Sequence, residues 1–202
     1  MSKCHSCLKD TNDSFCTSCR KKLFGGVNIN HVLQFTRPEF NEIRLEHSNR
    51  LSISGIQVKY SLKLEQKELK LNEEGGQYII KPVPYGPFRN MESIPANEHL
   101  TMQIAEQVFM INTPPNALMT FGNDEQTYIV KRFDVLNDGR KLLQEDFAQL
   151  ANKTEENAGG NYKYDFSYEE VAELMKNYIA AYPIEIEKYF SLILFNLSGR
   201  EW

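Results

Sequence analysis

An α+β fold is predicted, strands first and helices after them, behind a cysteine-rich leader. Three observations carry this reading. In "VKYSLKLE" apolar residues alternate, so Val58, Tyr60, Leu62 and Leu64 share one face of a strand. In "NEHLTMQIAEQVFMI" they recur at helical spacing, giving a stripe of Leu100, Ile104, Val108 and Ile111. All four cysteines fall within the first 19 residues.

The leader spans 1–26. "CHSCLKDTNDSFCTSC" sets Cys4 and Cys7 two residues apart, and Cys16 and Cys19 likewise. Two such knuckles can turn four thiolates toward one point, a tetrahedral set suited to zinc. Protein fills all four positions, so the metal would be structural and not catalytic. The polar "KDTND" between the knuckles suits a hairpin. His5 is a spare candidate ligand, strained by its place beside Cys4. Two disulfides or four free thiols are the alternative readings, and a reducing cytoplasm disfavours disulfides.

Residues 27–50 form a connector with a short helix near 38–46. From 51 the pattern runs strand–turn–strand–turn–strand, with Gly75-Gly76 at the last turn and Pro82 ending the strand. A loop over 83–96 leads to the helix at 97–111. "NALMTFGNDEQTYIVKRFD" reads as a hairpin turning at Gly122-Asn123-Asp124. Helices follow at about 142–151, 167–181 and 184–197, with a polar surface loop over 152–164. In the last helix Phe190, Ile193, Leu194 and Phe195 surround more of the cylinder than one packing face, which predicts an exposed apolar patch.

Charge and hydropathy exclude some functions. The net charge of −4 argues against a broad nucleic-acid-binding surface, although the first 26 residues hold five Lys/Arg against two Asp. No run of 18 apolar residues could span a membrane. "MSKCHSCLKD" lacks the apolar stretch of a signal peptide, so a cytoplasmic protein is expected.

Three stretches could carry chemistry. In "LSISGIQVKYSL" Gly55 lets the backbone approach a phosphate, with Ser52, Ser54 and Lys59 nearby; a plain strand–turn–strand fits as well. Lys81 ends an otherwise apolar strand. It is either a phosphate contact anchored by Glu98 on the next helix, as in kinases, or an edge lysine reaching water. "YIVKRFD" leaves the fifth strand, where backbone groups could read an adenine edge and Phe133 cover its face; a solvated Lys131-Arg132 pair is the simpler reading.

Five antiparallel strands holding one helix, with helices after them, is the layout of a protein-kinase small lobe and the beginning of a large one. The chain resembles the HipA-like serine/threonine kinases, toxins of bacterial toxin–antitoxin modules. The resembling stretches are "LSISGIQVKYSL", "GGQYIIKP", "IPANEHLTMQIAE", "PPNALM", "YIVKRFD", "LLQEDFAQL" and "KYDFSYEEV", in the family's order from about 51 to 196. The resemblance divides the chain into the leader (1–26), the connector (27–50), a small lobe (51–135) and the start of an incomplete large lobe (136–202).

The resemblance implies roles. Ser54, Gly55, Ile56, Gln57, Val58 and Lys59 would form the loop covering ATP. Lys81 would contact phosphate, and Lys131, Arg132 and Phe133 would frame the adenine. Ser52 and Ser54 match serines that such kinases autophosphorylate. A phosphate there would compete for the lysines that hold ATP. The "QEDFAQ" acids, Glu145 and Asp146, suit a helix N-terminus. Val135 stands where the family usually has arginine.

In the family, the helix matching "YFSLILFN" leads to a catalytic loop with an aspartate base and an asparagine for magnesium. "LSGREW" does not match that loop. The resemblance therefore implies a kinase cut short, inactive alone, with no catalytic residue to assign. Zinc would be its structural metal, and ATP and magnesium are expected only of the full family member. An antitoxin or a complementary kinase lobe would be its partner, and the family substrate would be a protein serine of the aminoacyl-tRNA synthetase class. A non-catalytic interaction module is the competing expectation.

Overall fold

A computed structural model describes residues 2–46, 59–72, 75–86, 89–136 and 138–199. The chain divides into two compact units. The first comprises Met1–Val108 and Asn112–Lys141; the second comprises Phe109–Ile111 and Leu142–Trp202.

In the first unit, β1 (Ser2–Lys3) and β2 (Asp10–Thr11) make a small hairpin, followed by α1 (Thr17–Phe24). Gly25 stops α1 in the left-handed conformation, φ 63°, and the Gly25 and Gly26 N–H groups close back on the Lys21 and Arg20 carbonyls. The connector forms α2 (Arg37–Glu46), close to its expected place. The Arg37 guanidinium is buried beside the Phe40, Tyr85 and Phe121 rings and donates to the Val83 carbonyl at 3.0 Å.

The five expected strands are β3 (Tyr60–Glu65), β4 (Glu68–Leu71), β5 (Tyr78–Pro82), β6 (Asn116–Thr120) and β7 (Gln126–Lys131). They form one antiparallel sheet in the order β4-β3-β5-β7-β6. The alternation read from the sequence holds: Tyr60 and Leu62 are buried, and Leu64 packs against the same core. Val58 lies outside the described residues. The β3–β4 turn uses Gln66 and Lys67 at φ 49° and 71°, the geometry of a two-residue hairpin, without the usual glycine. Gly76 passes so close to β3 that an added Cβ would lie 2.0 Å from Ser61 Oγ and 2.6 Å from the Leu62 carbonyl oxygen.

Leader, connector and sheet share a single core. Phe15, Leu23, Phe24, Ile29, Leu33 and Phe40 pack in one cluster with Leu62, Tyr78, Ile80, Met119, Phe121 and Ile129. The outer edge of β6 is also met by this N-terminal chain. Leu118 N–H donates to the His5 carbonyl at 2.9 Å, and Thr120 N–H to the His31 carbonyl at 3.0 Å.

The helix between β5 and β6 is α3 (Ile94–Gln107), lying against β6 and β7. It starts three residues earlier than expected because Pro95 suits the first turn. Its buried face corrects the expected one. Leu100 is 48% exposed and Val108 67% exposed, whereas Pro95, His99, Gln103 and Ala105 are buried. Hydrogen bonds to backbone carbonyls of the leader hold the polar side in place, so the apolar stripe does not decide the orientation.

The second unit is helical. The helix expected over 142–151 is one turn, α4 (Phe147–Leu150). The segment expected as loop over 152–164 contains another short helix, α5 (Glu155–Ala158). The two long helices are α6 (Tyr168–Tyr178) and α7 (Tyr182–Ser198), packed together. Three starts are capping boxes, Asp146 with Gln149, Thr154 with Asn157 and Ser167 with Glu170. Asp146 thus closes a helix start, which accounts for the spacing in "QEDFAQ". The expected apolar exposure of α7 is present at Phe190 and Leu194, whereas Ile193 and Phe195 are half-buried. None of its described residues is buried, and Phe190, Leu192, Leu194 and Leu197 stand exposed. Phe195 meets Phe109 edge-on at 5.1 Å. Among the described residues, no helix is long and apolar enough to cross a membrane.

Candidate functional site

Lys81 is the fourth residue of β5, opposite Tyr128 on β7. On this face of the sheet its ammonium forms a salt bridge with Glu98 in the second turn of α3. The two side chains are only 21% and 18% exposed. The ammonium also lies 5.3 Å from the centre of the buried Tyr128 ring. This lysine is therefore not an edge residue trailing into water. A charge this sheltered is tolerable because a carboxylate and an aromatic face meet it. Burial, with the Glu98 charge second, pushes the Tyr128 phenol up, so the ring is neutral at physiological pH.

The other candidates from the sequence fall on both sides of the described boundary. Ser52, Ser54, Gly55, Ile56, Gln57 and Val58 lie outside the described residues. Lys59 is half-buried just before β3. Lys131 N–H donates to the Pro115 carbonyl and Arg132 N–H to that of Gln77, both at 2.8 Å. The Arg132 side chain grips Asp134 at 2.9 and 2.5 Å and holds its carboxyl below the usual range. Lys131 Nζ reaches the Lys22 carbonyl at 3.3 Å. The Lys131-Arg132 pair is therefore not simply solvated. Phe133 follows with its ring 69% exposed, free to cover a flat ligand.

The cysteine knuckles converge. The sulfurs of Cys4, Cys7, Cys16 and Cys19 lie within 4.8 Å of one another. Cys7 and Cys16 sulfurs are 3.8 Å apart; tetrahedral Zn–S bonds of ~2.3 Å require an edge of about 3.8 Å. The set fits a tetrahedral thiolate metal centre. A hydrogen bond from the Cys19 thiol, helped by the Cys16 N–H at 3.3 Å, lowers the Cys4 thiol toward thiolate. His5 is not part of the cluster; its ring stacks on His31 at 3.7 Å.

A polar seam joins this centre to α3, and sequence reasoning missed it. His99 Nε2 meets the Ser6 carbonyl at 2.8 Å, which fixes the ring as the Nε2–H tautomer. Burial lowers the His99 pKa, keeping it neutral. Gln107 donates to the Cys7 carbonyl at 3.0 Å. Gln103 donates to Asn116 Oδ1 at 3.0 Å, and Ser6 Oγ to the Asn116 carbonyl at 2.7 Å. The signal was available: His99, Gln103 and Gln107 recur every four residues, a polar stripe at helical spacing.

Residues 51–200 match the family of HipA-like C-terminal domains. The chain belongs to this HipA-like family. A Haemophilus influenzae protein named "Putative kinase" is 25% identical to it over 175 residues, 83% of this chain and 49% of that protein. The HipA-like fold also appears among solved structures. A chain from the Shewanella oneidensis MR-1 toxin–antitoxin complex of HipA, HipB and operator DNA superposes with a TM-score of 0.52 at 22% identity, covering 80% of this chain and 42% of that one. The present chain spans about half the length of these two proteins.

Proposed function

We propose that the chain supplies the nucleotide-binding half of a HipA-like serine/threonine protein kinase from a toxin–antitoxin module, acting in the cytoplasm. The Lys81–Glu98 ion pair carries this reading. A carboxylate on α3 holds the ammonium on one sheet face, as a helix glutamate holds the phosphate-binding lysine of protein kinases. Loop residues Ser54–Lys59 would cover the phosphates, and Phe133, with Lys131 and Arg132 behind it, would cover the adenine. Ser52 and Ser54 would be the phosphorylated serines. Zinc on Cys4, Cys7, Cys16 and Cys19 would be structural. The test is nucleotide binding by the full chain, read with a fluorescent ATP analogue and ATP competition. Lys81→Ala should weaken binding at least tenfold. Equal affinity for both proteins would sink the reading.

A second reading, a non-catalytic module that binds an antitoxin or a complementary kinase lobe, is favoured by the exposed apolar residues of α7. It predicts a stable complex formed through α7 without nucleotide. The antitoxin expectation also draws on the HipB partner named with the Shewanella protein.

A further inference from the structure

We propose that the cysteine knuckle positions Glu98, so that metal occupancy of the four cysteines controls the geometry of Lys81. The role of Lys81 in nucleotide binding rests on the reading above; the mechanical link does not.

Three consecutive carbonyls of the first knuckle serve as docking points. The His5 carbonyl takes Leu118 N–H of β6, the Ser6 carbonyl takes His99, and the Cys7 carbonyl takes Gln107. Two of these partners sit on α3, eight residues apart. A third tie reaches α3 from α1, where Lys22 meets Glu106 at 3.1 Å. Cys4 precedes these carbonyls and Cys7 carries the last of them, and both sulfurs belong to the cluster, so converging the sulfurs on one ion would fix this stretch of backbone.

The consequence for the ion pair is geometric. His99 follows Glu98 directly, one helical step away, so whatever fixes His99 fixes the direction of Glu98. Rotation of α3 by one residue would turn Glu98 about 100° around the helix axis and off Lys81. The apolar side of α3 offers little resistance, because Leu100, Ile104 and Val108 are exposed. The knuckle thus restrains the helix orientation beside the packing of α3 on β6 and β7 and the Gln103–Asn116 hydrogen bond. His99, Gln103 and Gln107 are positioning residues: they act on Lys81 only through Glu98.

The experiment follows Lys81 directly. Full-length protein is treated with an amine-acylating reagent, and the rate at Lys81 is read by mass spectrometry, beside amide exchange over 94–107. Glu98→Gln gives the rate for an unpaired lysine. Zinc removal by a chelator should raise Lys81 acylation several-fold toward that value and speed exchange in α3, while β5 and β7 stay protected. His99→Phe, which cannot donate to Ser6, should do the same with zinc bound; His99→Gln, which can, should restore the slow rate. Gln107→Ala gives a smaller shift and serves if His99→Phe fails to fold.

An unchanged Lys81 rate after zinc loss or in these variants, with Glu98→Gln still fast, overturns the proposal. So does loss of β5 and β7 protection together with α3, which would make the leader a general prop. Protein that holds no zinc yet acylates slowly at Lys81 overturns the metal control. Failure of wild-type protein to bind nucleotide, with the acylation pattern as expected, would instead sink the nucleotide reading and leave the positioning intact.

Discussion

Tyr78, on the central strand β5, donates its hydroxyl to the Leu23 carbonyl of α1 at 2.8 Å. The ring also packs against Phe24. One side chain thus ties the sheet to the helix that carries Cys19.

Burial raises the Tyr78 phenol from 10 to about 12. Between these values the unfolded chain has released the proton and the folded one has not. The unfolded state therefore binds fewer protons, and stability falls as pH rises from 10 to 12. Moving the ionisation this far is worth roughly 3 kcal/mol. Tyr78→Phe should cost about 1 kcal/mol at pH 7 and make the alkaline decline shallower. Urea melts at pH 7, 10 and 11.5 check this; parallel declines would refute the assignment.

Gly76→Ala should destabilise the sheet by about 1–3 kcal/mol, because the new methyl meets Ser61 Oγ and an immovable Leu62 carbonyl. Adding Ser61→Gly removes only the side-chain clash and should recover part of the loss. Denaturation midpoints of the three proteins give the comparison.

Purified protein prepared without chelator should carry one zinc per chain. Structural zinc contributes an apparent ~10–16 kcal/mol in small peptides, so chelation should let the two cysteine knuckles part. Elemental analysis measures the content, and cobalt substitution should give the charge-transfer absorption of four thiolates. Absent metal would count against the site.

A polypeptide of these 202 residues should bind ATP without transferring its phosphate. The kinase resemblance expects the catalytic loop after the helix matching "YFSLILFN", where "LSGREW" does not match it, and phosphoryl transfer depends on metal-neutralised charge and an aligned nucleophile. Magnesium-dependent labelling of Ser52 or Ser54 that Lys81→Ala abolishes would contradict this expectation.

The apolar surface of α7 should drive association. Phe190→Asp with Leu194→Asp places charge on two exposed positions and should lower the oligomeric state seen by sedimentation. Wild-type protein that stays monomeric at high concentration would remove the case for a partner on this helix.

The sheet was legible because period-two alternation, and the glycines at the β4–β5 and β6–β7 turns, are local signals. Lys81 stood out as a charge on an apolar strand, and Glu98 opened the helix after it. The orientation of α3 was not legible from hydrophobic periodicity, which marked Leu100, Ile104 and Val108. The deciding contacts run from His99 and Gln107 to carbonyls more than 90 residues away, and backbone acceptors leave no trace in a sequence. The short helices α4 and α5 were misjudged for a different reason. Their capping boxes, Asp146 with Gln149 and Thr154 with Asn157, set their starts more sharply than their composition does.

The covering of β6 by the His5 and His31 carbonyls bears on where this protein can be cut. The family match begins at residue 51, yet a chain begun there would leave Leu118 and Thr120 N–H groups without their acceptors. A bare strand edge is a template for another strand. Such a fragment should add copies of itself edge to edge and precipitate. The stretch matched by the family model is thus shorter than the folding unit, and the leader works as a built-in stopper against polymerisation.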